Sequence, residues 1–235
     1  MRLALFCLAL VCAGLAHAGD LTVSAAASLS DAFRDVGKAY EGSHPGTHVA
    51  FNFGASGALM QQIVKGAPVD VFASADQESM DSAAKQGLVR ERRDFARNHL
   101  VVVVPPSSKI ERLADLAGAT RIAIGNPASV PAGRYARDAL QAAKQWSSLE
   151  AKLIPTQNVR QTLDYVARGE VDAGFVYATD VPLARVRQAF EVNGSMPIVY
   201  PIAATSANPE ARQFVAFVLS PAGQSILLSY GFSKP

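Results

Sequence analysis

Cysteine is confined to the start of the chain. Its two thiols, Cys7 and Cys12, fall in a stretch that reads as a targeting segment. Arg2 is the positive n-region, Leu3 to Leu15 the apolar core, and Ala16-His17-Ala18 the small-x-small cleavage rule. That core is too short for a comfortable bilayer span. A signal peptide over residues 1–18, cleaved after Ala18, is therefore expected, and with it an exported protein. Phe6 and Val11 precede the two cysteines, which argues against lipid attachment. Beyond residue 18 the chain has no thiol for a disulfide, a nucleophile or a metal. Histidine is scarce too. His44, His48 and His99 remain, and none sits in a small-residue turn. Metal-ligand spacing is absent. With 22 basic and 20 acidic residues the net charge is only +2, and no basic run is interleaved with aromatics, so nucleic acid is excluded as a partner. No later apolar run is long enough to span a bilayer.

What the chain does have is a pattern repeated four times: a short strand, a turn of tiny residues, then an amphipathic helix. The first runs from Leu21-Thr22-Val23 through Ala25-Ala26-Ala27-Ser28-Leu29, with Leu29, Phe33, Val36 and Tyr40 at helical spacing. Ser28 stands where an N-cap belongs. The second follows His48–Phe53 and turns at Gly54-Ala55-Ser56-Gly57-Ala58, with Ser56 in the equivalent place. The third turns at Gly125–Gly133, where Pro131 suits the first turn of a helix. The fourth turns at Thr156-Gln157-Asn158-Val159-Arg160, with Asn158 as a cap. Any one of these is ordinarily a capped helix and nothing more.

Other segments complete an alternating order. Val69–Ser74 reads as a strand and Asp76 as the cap of the next helix. The mixed-sign run Glu91-Arg92-Arg93-Asp94 reads as a solvated turn, and Ile110–Leu116 as a short helix. Thr179-Asp180 reads as a cap, Ala189–Val192 as a weak strand and Asn193-Gly194 as a turn; the lone Trp146 is expected to pack. The wholly apolar Leu100–Val104 and Ile198–Ala203 are expected to be crossings between two lobes. Strands alternating with helices predict parallel β-α units. The expected division is residues 19–99 and 204–235 in one lobe and 100–203, crossings included, in the other.

Ligands of open α/β sheets sit beyond the strand C-termini, where these turns lie. Two turns fall in each lobe, so the site belongs in the cleft between them. Helix N-termini offer unpaired N–H groups and the positive end of a dipole. Ser28, Ser56 and Tyr177 add hydroxyls. Arg160 is the one basic residue near a turn, so the expected ligand is a small, fully ionised anion held by dipoles. An exported enzyme is the alternative. It needs a nucleophile with a base beside it. The Gly54–Ala58 turn departs from the Gly-x-Ser-x-Gly elbow at Ala58. A sulfate or other oxoanion receptor is the second alternative.

In this order Ala25–Leu29, Phe53–Gly57, Pro68–Asp76, Val130–Ala136, Val159-Arg160, Phe175–Tyr177 and Tyr230–Phe232 resemble the periplasmic molybdate-binding proteins of ABC transporters. The resemblance covers essentially the whole chain after the leader. It implies a two-lobed periplasmic-binding-protein-like α/β fold of type II, each lobe a mostly parallel sheet flanked by helices. It implies a periplasmic monomer that binds molybdate or tungstate, with no cofactor and no catalysis. The oxoanion would be held by Ser28 and Ser56 through hydroxyl and amide, by Ala132 and Val159 through amides, and by Tyr177 through its hydroxyl, with no protein ligand on the metal itself. The implied partners are a membrane permease and its ATPase. In the family a second serine often follows the one at Ser56; here Gly57 stands there, at the cost of one auxiliary hydroxyl.

Overall fold

A computed structural model of the chain describes residues 19–192 and 198–235. The expected leader and the Asn193-Gly194 turn lie outside the described residues. The elements follow in order: β1 (Asp20–Ala26), α1 (Ser30–Ser43), β2 (His48–Gly54), α2 (Ser56–Val64), β3 (Val71–Ala73), α3 (Gln77–Lys85), β4 (Arg90–Asn98) and β5 (Leu100–Val104). Then come β6 (Ile122–Gly125), α4 (Pro131–Ala142), α5 (Trp146–Leu149), β7 (Leu153–Thr156), α6 (Val159–Ala167), β8 (Ala173–Tyr177), β9 (Arg187–Glu191), β10 (Ile198–Ala204), α7 (Pro209–Leu219) and α8 (Pro221–Ser229).

The strands form two five-stranded sheets, ordered β2-β1-β3-β10-β4 and β7-β6-β8-β5-β9. The strands β1, β2 and β3 are mutually parallel, as are β6, β7 and β8. One strand in each sheet runs against its neighbours: β10 in the first, β5 in the second. These are the strands that begin after each passage between sheets. A chain that leaves one sheet at a strand C-terminus reaches the other at the same end, so it enters running the opposite way.

The passages themselves differ from expectation. The first lies at His99, between β4 and β5. The second lies between β9 and β10, so Ile198–Ala203 is no crossing and belongs to the first sheet, paired with β3 and β4. Both apolar runs are apolar because each is flanked by strands on both edges and covered by helices. All of Leu100–Val104 is buried. Leucine and valine there report burial, which sequence alone does not separate from a hinge.

Two further expectations give way. Glu91–Asp94 is part of β4, an edge strand, where alternating charges discourage pairing with another molecule. Arg92 pairs with Asp81, and Asp94 accepts from Gln77 at 2.8 Å. The run Ile110–Leu116 is not a helix from Ile110; a 3-10 turn begins at Leu113 and ends at Gly118. Trp146 starts the short α5 and packs half-buried on the core. The C-terminal helices α7 and α8 pack on α1, and Phe33 and Tyr40 of α1 meet Phe214 edge-on.

The third turn explains its own glycines. A Cβ on Gly133 would lie 1.9 Å from the Gly125 carbonyl oxygen. The start of α4 therefore rests directly on the end of β6, which only glycine permits. Gly133→Ala is expected to lower unfolding free energy by about 2–3 kcal/mol, as overpacking does. Urea denaturation that finds the variant within about 0.5 kcal/mol of wild type, the range of an inconsequential substitution, would show that this contact yields easily.

Candidate functional site

Three α-helix starts and the 3-10 turn before α1 meet on one small pocket. From the first sheet come Ala26, Ala27 and Ser28 after β1, and Gly54, Ala55 and Ser56 where β2 passes into α2. From the second come Val130, Pro131 and Ala132 at the start of α4, and Asn158 and Val159 at the start of α6. Tyr177, the last residue of β8, closes the list of hydroxyls. The five residues singled out from sequence, Ser28, Ser56, Ala132, Val159 and Tyr177, thus line one pocket. Among the described residues, its lining carries no charged side chain.

The backbone supplies the donors. The first N–H groups of a helix have no partner within it. Ser56 and Val159 are the first residues of their helices. Pro131 opens α4 without an N–H, so Ala132 is the first donor of that helix. Asn158 caps α6 by accepting from Gln161 N, as expected.

Ser28 is not a cap. It lies in a 3-10 turn of Ala27–Leu29 and makes no capping bond; α1 begins two residues later. Its Oγ lies 3.0 Å from the Tyr200 phenol oxygen instead. Ser56 Oγ accepts from the Ala75 N–H at 2.9 Å, so its own hydrogen is free. Tyr177 is the most telling. Its hydroxyl is buried and has no hydrogen-bond partner. Burial pushes its phenol well above the ordinary value, so it stays protonated. An orphaned buried hydroxyl costs about 1–3 kcal/mol, which a ligand would relieve.

Charges surround this neutral lining, each already paired. Arg134 of α4 reaches across to Asp76, its Nε donating to Oδ2 at 2.9 Å, and its Nη2 also meets Ser79 Oγ at 3.1 Å. Both partners are nearly buried. Asp76 at the same time caps α3, as expected, by accepting from Ser79 N. On the other flank Arg160 pairs with Asp31 at 2.8 Å and with Asp180 at 3.0 Å, the latter too bent for a hydrogen bond. Gly57 N–H donates to the Ser129 carbonyl at 3.0 Å. The Asp76–Arg134, Asp31–Arg160 and Gly57–Ser129 contacts each join an element of one sheet to an element of the other, so the cleft is closed. Sequence reading had none of these pairs, nor Tyr200. The one available signal for Tyr200 was a hydroxyl in an otherwise apolar strand.

Asp180 was expected as a cap, and its Oδ2 accepts from Tyr177 N at 3.1 Å. It is fully buried.

Comparison with known proteins gives one pattern. A family model described as bacterial extracellular solute-binding protein matches residues 21–233. The molybdate-binding protein ModA of Escherichia coli K12 is 34% identical over 234 residues, which cover 93% of this chain and 91% of that protein. The ModA of Haemophilus influenzae is 32% identical over 243 residues, 96% of each chain. Among solved structures, the periplasmic molybdate-binding protein of Azotobacter vinelandii superposes with a TM-score of 0.78 at 26% identity, over 92% of this chain and 99% of that one.

Burial raises the Asp180 carboxyl from 3.8 to about 6, against the pull of Arg160 and the Tyr177 N–H. The folded state therefore holds this proton more tightly than the unfolded chain. Its contribution to stability is present below about pH 4 and is lost as pH rises through 6. Relative to Asp180→Asn, the ligand-free wild type should lose on the order of 2–3 kcal/mol between pH 4 and 7. A difference between the two proteins that stays flat across that range would place the carboxyl's titration at its ordinary value.

Proposed function

The chain belongs to the bacterial extracellular solute-binding proteins, and we propose that it captures molybdate, and tungstate equally, for an ABC transporter. The observation that carries this is the buried, unpartnered hydroxyl of Tyr177 facing a small neutral pocket ringed by helix N-termini. A tetrahedral dianion is the ligand that such a donor set satisfies without a counter-ion. Ser28 and Ser56 give hydroxyl and amide, Ala132 and Val159 amides, and Tyr177 its hydroxyl. Seven bonds to a charged group, at about 1.5–3 kcal/mol each, cover the cost of association and leave room for submicromolar binding.

The metal atom is cargo at the centre of the anion, and the protein touches only its oxygens. The mechanism is binding without turnover. Among the described residues the lining pairs no nucleophile with a base, the arrangement that hydrolytic or transfer chemistry would need. A leader over residues 1–18, removed after Ala18, would deliver the protein to the periplasm. The closed cleft presents a face built from both lobes, which a permease with its ATPase would read before the lobes part. A single copy contains the whole pocket, which suits a monomer.

Selectivity follows from what the lining lacks. Phosphate keeps a proton part of the time near neutral pH, and among the described residues no carboxylate lines the pocket to accept it. Sulfate has no such proton, so only its shorter bonds count against it, leaving donors on opposing helices out of reach. Each stranded donor costs about 1–3 kcal/mol. The runner-up, a sulfate receptor, makes the opposite forecast.

Calorimetry of ligand-free protein with molybdate, tungstate, sulfate and phosphate decides between them. Molybdate and tungstate should bind alike, with millimolar sulfate and phosphate failing to displace them; displacement by sulfate at comparable concentration would favour the runner-up. Ser28→Ala and Tyr177→Phe should each weaken molybdate by about 1.5–3 kcal/mol, roughly tenfold to over a hundredfold. Two variants within twofold of wild type would remove these hydroxyls from the site.

A further inference from the structure

The hydroxyl of Ser28 can face an anion as donor or as acceptor, and its partner on the protein decides which. That partner, the Tyr200 phenol, is buried on β10, which lies between β3 and β4 in the first sheet. The choice can be traced back to a group with no freedom at all. The backbone N–H of His99 can only donate, and it donates to the Asn98 side chain at 2.9 Å. The receiving atom must be the amide oxygen, which fixes the amide's orientation. The Asn98 Nδ2 then faces Thr179 Oγ1 at 2.9 Å and the Tyr200 Oη at 3.4 Å. An NH₂ group has only hydrogens to give, so Tyr200 Oη accepts there. The one other hydrogen-bond partner of that phenol among the described residues is Ser28 Oγ at 3.0 Å. The phenol stays protonated, and its hydrogen goes to Ser28. Ser28 Oγ, having accepted, keeps its own hydrogen for the pocket.

We propose that Asn98 and Tyr200 form a one-way hydrogen-bond relay that presets Ser28 as a donor, so that the pocket discriminates against anions carrying a proton. The inference rests on the oxoanion-binding reading given above and names residues that act behind it. Tyr200 and Asn98 are positioning residues; neither lines the pocket. Ser56 is preset in the same sense by the Ala75 N–H. Tyr177 alone is left free to turn either way. Asn98 is the last residue of β4, at the passage between sheets, and Thr179 lies in the other lobe. The Asn98 amide is therefore held by His99 at the passage and by Thr179 of the other lobe, while the relay itself stays within the first.

The test is a double-mutant cycle with molybdate and a ratio with two smaller anions. Wild type is titrated first; if it binds no oxoanion, the binding reading and the relay fall together. Tyr200→Phe should weaken molybdate about three- to tenfold, as loss of one neutral hydrogen bond does. In a Ser28→Ala background the same change should cost less than twofold, because Tyr200 acts through Ser28. Equal cost in both backgrounds overturns the relay while leaving oxoanion binding intact. Asn98→Asp reverses the polarity. The phenol then donates to the carboxylate, Ser28 donates to the phenol, and a lone pair faces the pocket. Sulfate and monohydrogen phosphate carry the same charge, so the new carboxylate repels them alike. The ratio of phosphate to sulfate affinity should rise at least fivefold over wild type in Asn98→Asp. It should rise by a smaller factor in Tyr200→Phe, a variant that introduces no charge and keeps the ring packing. An unchanged ratio in both variants overturns the proposal.

Discussion

An N–H at the start of a helix has no partner inside that helix, and three α-helices of this chain, with the 3-10 turn that leads into a fourth, begin on the same small pocket. That constraint organises the rest of the molecule. Buried N–H groups left unpaired are costly, and helix dipoles pointed at one spot favour negative charge there. The cost is tolerable only if something anionic completes the set. The sheets serve this purpose by ending their parallel strands at the cleft, so that each following helix starts there. The tiny residues Ala26, Ala27, Gly54 and Ala55 keep side chains out of the way. The pocket is thus made of backbone, with three hydroxyls added.

Formal charge is kept just outside. Asp76 with Arg134 on one flank, and Asp31 with Arg160 and Asp180 on the other, are paired among themselves. Such pairs contribute little net stability when buried, because desolvation offsets attraction. Their value here is geometric. The Asp76–Arg134 and Asp31–Arg160 pairs join elements of one sheet to elements of the other, and breaking either would leave a charge stranded. A cation aimed into the pocket would hold any anion tightly; neutral donors at set distances hold only anions of the right size and proton count.

Much of this was legible in the sequence where a local rule sufficed. Asn158 and Asp76 cap their helices, and Pro131 opens α4, because capping depends on neighbours in the chain. The lining residues were legible because four turns of one composition imply one place. What escaped depends on partners far apart. Ser28 looks like a cap by its position, yet its hydroxyl turns to Tyr200, 172 residues away. Glu91–Asp94 looks like a turn because edge strands carry the charges that turns carry. Ile198–Ala203 looks like a hinge because a central strand and a buried crossing are equally apolar. Arg134 and Asp76 each sit in a motif, and nothing local says that they meet.

Gly57 shows how a departure from a family pattern can carry its own reason. A serine at that place would add a hydroxyl near the anion. Here a Cβ at Gly57 would lie 2.7 Å from the Ser129 carbonyl oxygen. The same carbonyl accepts the Gly57 N–H at 3.0 Å across the cleft. A side chain at that point would have to push α2 and the turn before α4 apart, lengthening the bond that joins them. The glycine therefore exchanges one hydroxyl for a closer approach of the two lobes. Closer approach brings the donors of α2 and α4 nearer to each other, and in the binding reading proposed above that separation sets the size of anion the pocket would accept.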